Sequence, residues 1–189
     1  MSQEPASTPL GAPERDVFDR LLVRVPALAG LMVRCVRHIQ PGSSLRRRLT
    51  KLLAKRAFAA MARSDVDVVL LSYEPDAEVW MKSMSGVGIS DCYQGHEGIR
   101  TLYADLDEAF DDWGWTLDAV VDGGHCLAVR GDFVGYGRGS GVKTTLKEGG
   151  TAVKLSARGL ILWQEWFAEQ GGWEKSLEAV GLRGVGPEA

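Results

Sequence analysis

Three side chains in this sequence have the chemistry to act as an acid or a base in a buried site: His96, Tyr103 and Glu165. Imidazole has the ordinary pKa closest to neutral pH, and burial or a charged neighbour can shift the pKa of a phenol or a carboxyl group. We expect His96 in the first turn of a helix, Tyr103 two turns further along it, and Glu165 on the last long strand. The residues leave open whether any of the three is catalytic.

A second polar group, Arg130 and Asp132, lies on a segment with the alternation of a strand. Successive side chains of a strand point to opposite faces, so Leu127, Val129 and Phe133 share the face that Arg130 and Asp132 do not. We therefore expect Arg130 and Asp132 to point outward. A single β-bulge would reverse this and bring both residues inward together with Glu165.

Metal and disulfide chemistry is not indicated. The chain has three cysteines and three histidines, with no CxxC pair and no two histidines at ligand spacing. This argues against a zinc site or a disulfide framework and fits a reducing compartment. We predict no cofactor and a cytoplasmic protein, because the start lacks a signal-peptide pattern and no window is apolar enough to span a bilayer.

Charge is divided unevenly along the chain. Residues 1–63 hold 12 Lys and Arg against 4 Asp and Glu, whereas residues 64–189 hold 10 against 21. The simplest interpretation is a basic arm that packs on an acidic domain, its own or a partner's. An anionic membrane surface bound through residues 14–63 is an alternative. Nucleic acid is not expected, because few aromatic residues interleave the basic ones.

Local signals divide the chain into segments. Residues 1–13 contain three of the seven prolines and are predicted to be disordered. Residues 14–44 form a basic helical extension, and Ser43 or Ser44 caps the long helix that follows. A further helix is expected over 95–112, four successive strands over 115–167, a short helix over 173–180 and a loose tail over 183–189.

The order of these elements resembles the SnoaL-like branch of the nuclear transport factor 2-like superfamily. The similarity lies in ARSDVDVVLLSYEPDAEV (62–79), YQGHEGIRTLYADLDEAFDDW (93–113), GYGRGSGV (135–142) and LEAVGL (177–182). It implies a SnoaL-like domain over 45–182 with an α+β fold, a cone-shaped roll in which a curved antiparallel sheet wraps around helices. Residues 14–44 resemble the helical extension of some bacterial members. Relatives commonly dimerise through the sheet, so the resemblance also implies a homodimer.

The same resemblance argues against one known chemistry of this superfamily. Aligned on the Asp65 and PDAEV segments, the catalytic base of steroid-isomerase-like members falls on Met81 and their oxyanion-holding tyrosine on Ala57. Neither a thioether nor a methyl group can exchange a proton at neutral pH. Three hypotheses remain open: a protein that binds a small apolar molecule; an isomerase, polyketide-cyclase-like or epoxide-hydrolase-like enzyme; and a partner or membrane-surface module without catalysis.

Strand parity and helix periodicity predict a largely apolar pocket lining. The lining residues that we predict are Phe58, Met61, Met81, Tyr103, Phe110, Val129, Phe133, Gln164 and Trp166. Leu162 shares this parity, and Val153 and Ile161 are expected on the outer surface with Trp163 and Phe167. Tyr73 is expected at the rim of the core with its hydroxyl exposed.

Overall fold

A computed structural model describes residues 15–184, apart from the side chains of residues 85–87. The predicted disordered start over 1–13 lies outside the described residues, as does the predicted tail beyond residue 184. The helices are α1 (Val17–Arg24), α2 (Pro26–His38), α3 (Ser44–Ala62), α4 (Val66–Leu70), α5 (Gly95–Ala109) and α6 (Gly172–Ala179), with a 3₁₀ helix at Lys82–Val87. The strands are β1 (Tyr73–Trp80), β2 (Cys92–Gln94), β3 (Phe110–Trp115), β4 (Ala119–Asp122), β5 (Cys126–Gly137), β6 (Lys143–Leu155) and β7 (Ile161–Phe167).

The seven strands form one sheet in the order β2-β1-β7-β6-β5-β3, and β4 pairs with the other half of the edge of β5. All pairings are antiparallel except that of β1 with β7, which is parallel. The predicted α+β roll is confirmed: the inner face of the sheet shares one large apolar core with α3, α4 and α5. The N-terminal helices α1 and α2 are present as well.

Local capping signals define where the helices begin. The Ser43 side chain accepts a hydrogen bond from the Arg46 N–H at 3.3 Å, so Ser43 is the N-cap of α3. Asp65 does the same for α4 by accepting from the Val68 N–H at 3.3 Å. Pro26 occupies the first turn of α2, where its missing N–H would have no helical partner.

The predicted helix over 95–112 is too long, because α5 ends at Ala109 and the chain continues directly as β3. β3 pairs with the far half of β5, from Phe110 opposite Gly137 to Trp115 opposite Phe133. The pairing buries Trp113 and Trp115, which a continued helix would have placed on different sides. The first of the four predicted strands is consequently divided between β3 and β4.

Helix α6 covers part of the outer face of the sheet. Trp173 and Leu177 pack against Val121 and Ala128 in a second apolar cluster. The approach is close enough that a Cβ atom on Gly150 would lie 2.4 Å from the Gly172 carbonyl oxygen. Part of the outer face over β5 and β6 is therefore covered by the chain's own last helix.

Buried aspartates attach the N-terminal helices to the rest of the fold. Asp19 of α1 is 5% exposed and pairs with Arg56 at 3.0 Å and Arg63 at 2.9 Å. Arg15 makes a bidentate pair with the Asp65 cap of α4. Hydrogen bonds from Arg15 lower the pKa of the Asp65 carboxyl below its ordinary value, which burial alone would raise.

Candidate functional site

An apolar cavity of about 150 Å³ lies between the inner face of the sheet and the helices α2 and α3. Most of the side chains that line it are aliphatic. From the helices and their connections these residues are Val33, Val36, Arg37, Arg46, Thr50, Leu53, Ala54, Ala57, Phe58, Met61, Val69 and Ser72. From β1 and the sheet they are Tyr73, Asp122, Gly124, Leu127, Val129, Thr151, Val153, Leu155, Gly159, Ile161 and Gln164.

Strand register explains which sheet residues reach the cavity. Leu127 lies opposite Val153 and Val129 lies opposite Thr151, and paired residues of adjacent strands point to the same face. The expectation that Val153 and Ile161 face outward is therefore wrong, since both line the cavity. Leu162 is 39% exposed because the β6–β7 register shifts beside Leu155, which reverses the alternation before Gln164.

A polar pair, Tyr73 and Gln164, lies at the side of this cavity that faces the core. The Tyr73 hydroxyl donates to the Gln164 side-chain oxygen, and the two residues are 7% and 4% exposed. The predicted exposed position of the Tyr73 hydroxyl is wrong, because α3 and α4 cover it. Burial raises the pKa of Tyr73 above its ordinary range, so the phenol is neutral at physiological pH.

An ion pair closes the other end of the cavity. Arg46 Nε donates to Asp122 at 2.7 Å and Nη2 donates to the same carboxylate at 2.9 Å, with the Arg46 side chain 5% exposed. The remaining guanidinium hydrogens bond the carbonyl oxygens of Arg37, Ile39 and Gly124. Arg46 thereby joins the end of α2, the start of α3 and the β4–β5 hairpin.

Asp122 is the carboxylate of the cavity, and its oxygens are already occupied. In addition to Arg46, the Thr50 hydroxyl donates to it at 3.1 Å and the Gly124 N–H at 2.8 Å. Burial raises the pKa of the Asp122 carboxyl, but these donors and the charge of Arg46 outweigh burial, so the pKa lies below its ordinary value. A carboxylate in this state is a weak base with few free acceptor positions.

The nine residues predicted to line the pocket lie in three places. Phe58, Met61, Val129 and Gln164 border the 150 Å³ cavity. Met61 also borders a second, much smaller cavity of about 10 Å³, together with Met81, Tyr103 and Trp166. Phe110 and Phe133 border neither, and their rings pack on each other at 5.4 Å between centroids.

Neither His96 nor Glu165 borders either of these cavities. His96 Nε2 donates to the Tyr73 carbonyl oxygen at 3.3 Å, so the ring links α5 to β1. Glu165 pairs with Lys82 at 3.3 Å on the other side of β7 from Gln164. Of the three predicted acid–base candidates, Tyr103 is the one that is buried, with 4% of its surface exposed.

Arg130 and Asp132 also point away from the cavity, as their parity indicates. The Arg130 guanidinium lies 5.8 Å from the centre of the Trp173 ring of α6, on the outer face of the sheet. Asp132 accepts a hydrogen bond from the Glu148 N–H at 2.9 Å, beside a bulge in the β5–β6 pairing. Within the part of the chain that the structure describes, no cluster of His, Cys, Asp and Glu could hold a metal ion.

Comparison with known proteins places this fold in a family. The sequence profile of the SnoaL-like domain matches residues 54–173. The chain belongs to the SnoaL-like domain family. No curated protein sequence matches this SnoaL-like chain. The match over residues 54–173 confirms the predicted family. Helix α2 and the first half of α3 precede the matched region.

Solved structures with the same fold include an NTF2-like protein of unknown function from Burkholderia pseudomallei, with 18% identity and a TM-score of 0.57 over 71% of this chain and 97% of that one. An NTF2-like protein from Burkholderia thailandensis has 22% identity and a TM-score of 0.55 over 67% and 95%. TerC, co-crystallised with polyporic acid, has 17% identity and a TM-score of 0.56 over 68% and 97%. At these identities the likeness shows the fold alone.

The cavity-lining residues that sequence reasoning missed come mainly from α2, α3 and β6. Val33 and Val36 form one wall of the cavity, although they lie outside the family match. The inward side chains of β6 could have been found by pairing the strand against β5, because Leu127 and Val129 were already expected inward. No signal near Val33 indicates that α2 docks on strands more than a hundred residues away.

Proposed function

We propose that this SnoaL-like protein binds a small, mainly apolar ring compound in the cavity between α2, α3 and the sheet. The observation that carries the proposal is the 150 Å³ cavity with aliphatic walls and the Tyr73–Gln164 pair on one side. A dry apolar cavity of about this volume is enough to hold a benzene ring. A few polar groups in an apolar lining are typical of ligand sites.

The proposal favours binding over acid–base catalysis. Among the described residues, Asp122 is the ionisable acid that lines the cavity, and its ion pair with Arg46 holds it as a carboxylate with few free acceptor positions. A general base needs a free lone pair within reach of a substrate proton. The ligand of TerC, polyporic acid, supports a role in binding an organic molecule without indicating the same compound here.

The test is an NMR titration of the full-length protein with indane, an apolar compound of one benzene ring and one fused five-membered ring. Amide shifts should concentrate on the cavity walls, at Val33, Val129 and Thr151. The variant Ala54→Leu fills the cavity from α3 and should weaken indane binding about ten-fold or more, because overpacking costs about 1–3 kcal/mol.

The matched control for this titration is Ala59→Leu, the same change on a part of α3 that does not line the cavity. It should bind indane as the wild type does. Shifts that are absent at saturating indane, or that an Ala54→Leu variant retains at wild-type affinity, would contradict the proposed binding site.

A second candidate function is attachment to an anionic membrane surface through the N-terminal helices. Aliphatic side chains on α1 to α3 and their connections are exposed to between 44% and 81%: Val17, Leu21, Val25, Leu31, Leu45 and Leu52. Cations on the same helices make no ion pair with the described residues, namely Arg20, Arg24, Arg34, Arg48, Lys51 and Lys55. Basic helices with exposed leucine and valine are typical of binding at the interface of an anionic bilayer.

None of the helices that the structure describes is long and apolar enough to cross a bilayer, so the proposed contact is with the surface. Each Lys or Arg near an anionic leaflet contributes about 1 kcal/mol to binding. Co-sedimentation should therefore show binding to vesicles that contain phosphatidylserine and none to phosphatidylcholine alone, with less binding at high salt.

The charge reversal Lys51→Glu with Lys55→Glu should abolish co-sedimentation. The same reversal at Lys143 and Lys147, on exposed β6, should leave it unchanged. If both double reversals reduced vesicle binding equally, net charge alone would explain the binding. If the protein still bound vesicles after the reversal of Lys51 and Lys55, the proposed membrane-binding surface would be refuted.

A further inference from the structure

Next to the main cavity lies a second, smaller space of about 10 Å³. It is lined by Tyr73, Tyr103 and apolar side chains, the latter mainly from α3, α5, β3 and β7. The Tyr103 hydroxyl is buried and has no hydrogen-bond partner among the described residues. A space of this size is about that of one water molecule.

The packing of the Tyr103 ring does not require its hydroxyl. The ring packs against Trp113 with 5.5 Å between centroids, a contact that phenylalanine would make equally well. A buried hydroxyl without a partner destabilises the folded protein relative to one that is paired. Tyr93 shows the usual arrangement, because its hydroxyl donates to Asp105 at 2.5 Å and accepts from the Ser90 N–H at 2.8 Å.

The small space adjoins the main cavity. Met61 and Tyr73 line both, so these two side chains form the partition between them. A methionine side chain is unbranched and changes shape readily, so movement of Met61 can connect the two spaces. The Tyr73 hydroxyl donates to Gln164 and makes no hydrogen bond with the Tyr103 hydroxyl.

We propose that the Tyr103 hydroxyl is a polar subsite that donates a hydrogen bond to one carbonyl oxygen of the bound ring compound. The inference rests on the proposed function and narrows it to ring ketones and related carbonyl compounds. Burial raises the pKa of the Tyr103 hydroxyl well above its ordinary range, so the group remains a neutral donor.

The experiment compares two probes of one skeleton, indane and 1-indanone, which differ by one carbonyl oxygen. The variant Tyr103→Phe should weaken 1-indanone binding about 3- to 10-fold, the value of one neutral hydrogen bond, and leave indane binding unchanged. The infrared carbonyl stretch of bound 1-indanone should lie at lower frequency in the wild type than in Tyr103→Phe.

The control is Tyr93→Phe, which removes a hydroxyl that is already paired and borders neither cavity. It should lower the melting temperature and leave both affinities unchanged, whereas Tyr103→Phe should leave the melting temperature unchanged or raise it. A fall in stability like that of Tyr93→Phe would mean that the Tyr103 hydroxyl has a structural partner, and would overturn the subsite.

Two further results separate this inference from the proposed function. If indane and 1-indanone bind the wild type but Tyr103→Phe binds both as tightly, the cavity binds ligands and the subsite is wrong. If neither compound binds the wild type, the proposed function itself fails, and the subsite with it.

Discussion

Replacing Arg46 by methionine removes one half of the ion pair at the end of the cavity and leaves the other half inside the protein. Asp122 would lose two of its four donors and keep the Thr50 hydroxyl and the Gly124 N–H. Three carbonyl oxygens, those of Arg37, Ile39 and Gly124, would lose their Arg46 donor. We expect the free energy of unfolding to fall substantially.

The magnitude follows from the burial of both partners. Removing one member of a buried ion pair costs about 3–5 kcal/mol, since an uncompensated charge remains. The Asp122 side chain retains 13% of its exposure, so the lower end of this range, about 3 kcal/mol, is expected. The double variant Arg46→Met with Asp122→Asn removes the charge as well and should recover about half of the loss.

The loss of stability in Arg46→Met should depend on pH through the ionisation of Asp122. In the wild type the pKa of Asp122 is lowered on folding, so its stabilisation is present above the ordinary aspartate pKa of about 3.9 and is lost as the pH falls through the lower folded value. In Arg46→Met we expect burial of the Asp122 carboxyl to outweigh its two remaining donors and to raise its folded pKa. Protonation of Asp122 on acidification should then restore stability. The difference in the free energy of unfolding between the wild type and Arg46→Met should therefore be smaller at about pH 4.5 than at about pH 7.

The assay is urea unfolding followed by circular dichroism at both pH values, with Arg46→Lys as a variant that keeps the charge but loses the forked geometry. Arg46→Lys should fall between the wild type and Arg46→Met. A loss below about 1 kcal/mol in Arg46→Met at neutral pH, or an equal loss at both pH values, would refute the argument.

Two other changes test the packing around the site. Gly150→Ala should destabilise the protein by about 1–3 kcal/mol, because the added Cβ meets the backbone of α6. Gly30→Ala in α2 meets nothing within 4 Å and should be neutral or stabilising. Thermal unfolding of the two variants measures both effects, and equal effects would contradict the close packing of α6 on Gly150. Glu165→Gln should leave indane affinity unchanged, since Glu165 pairs with Lys82 outside the cavity. Weaker indane binding by this variant in the NMR titration would show that Glu165 contributes to the binding site.

The parts of the fold that sequence predicted best are those with local signals. Ser43 and Asp65 were recognisable as caps because a short polar side chain can reach an N–H three residues ahead. The pattern of strands and glycine turns likewise indicated the family and the outward position of Arg130. These features depend on residues that are near one another in the chain.

The strand β3 shows where local signals fail. Residues 110–112 continue the helical periodicity of α5, and their strand conformation comes from pairing with the end of β5. The exposed Leu162 has a similar cause, because a register shift against β6 reversed its face. Both outcomes are decided by partner strands, which a single-sequence pattern does not contain.

The candidate site was the least predictable part, for the same reason. Its polar end joins Arg46 and Asp122 across 76 positions, and Tyr73 meets Gln164 across 91. Each residue has an ordinary local interpretation, as a helix-surface arginine or a rim tyrosine. The cavity exists because α2 and α3 converge on the sheet, and no local pattern reports that convergence.

The region shared with relatives and the region that folds together are not the same stretch of this chain. The family match begins at residue 54, yet Val33, Val36, Arg46 and Thr50 supply a wall and the charged end of the cavity. A fragment cut at the family boundary would expose Asp122 and open the cavity. The unit that encloses the cavity therefore extends upstream of the family match, and a transplanted cavity must include residues from α2 onward.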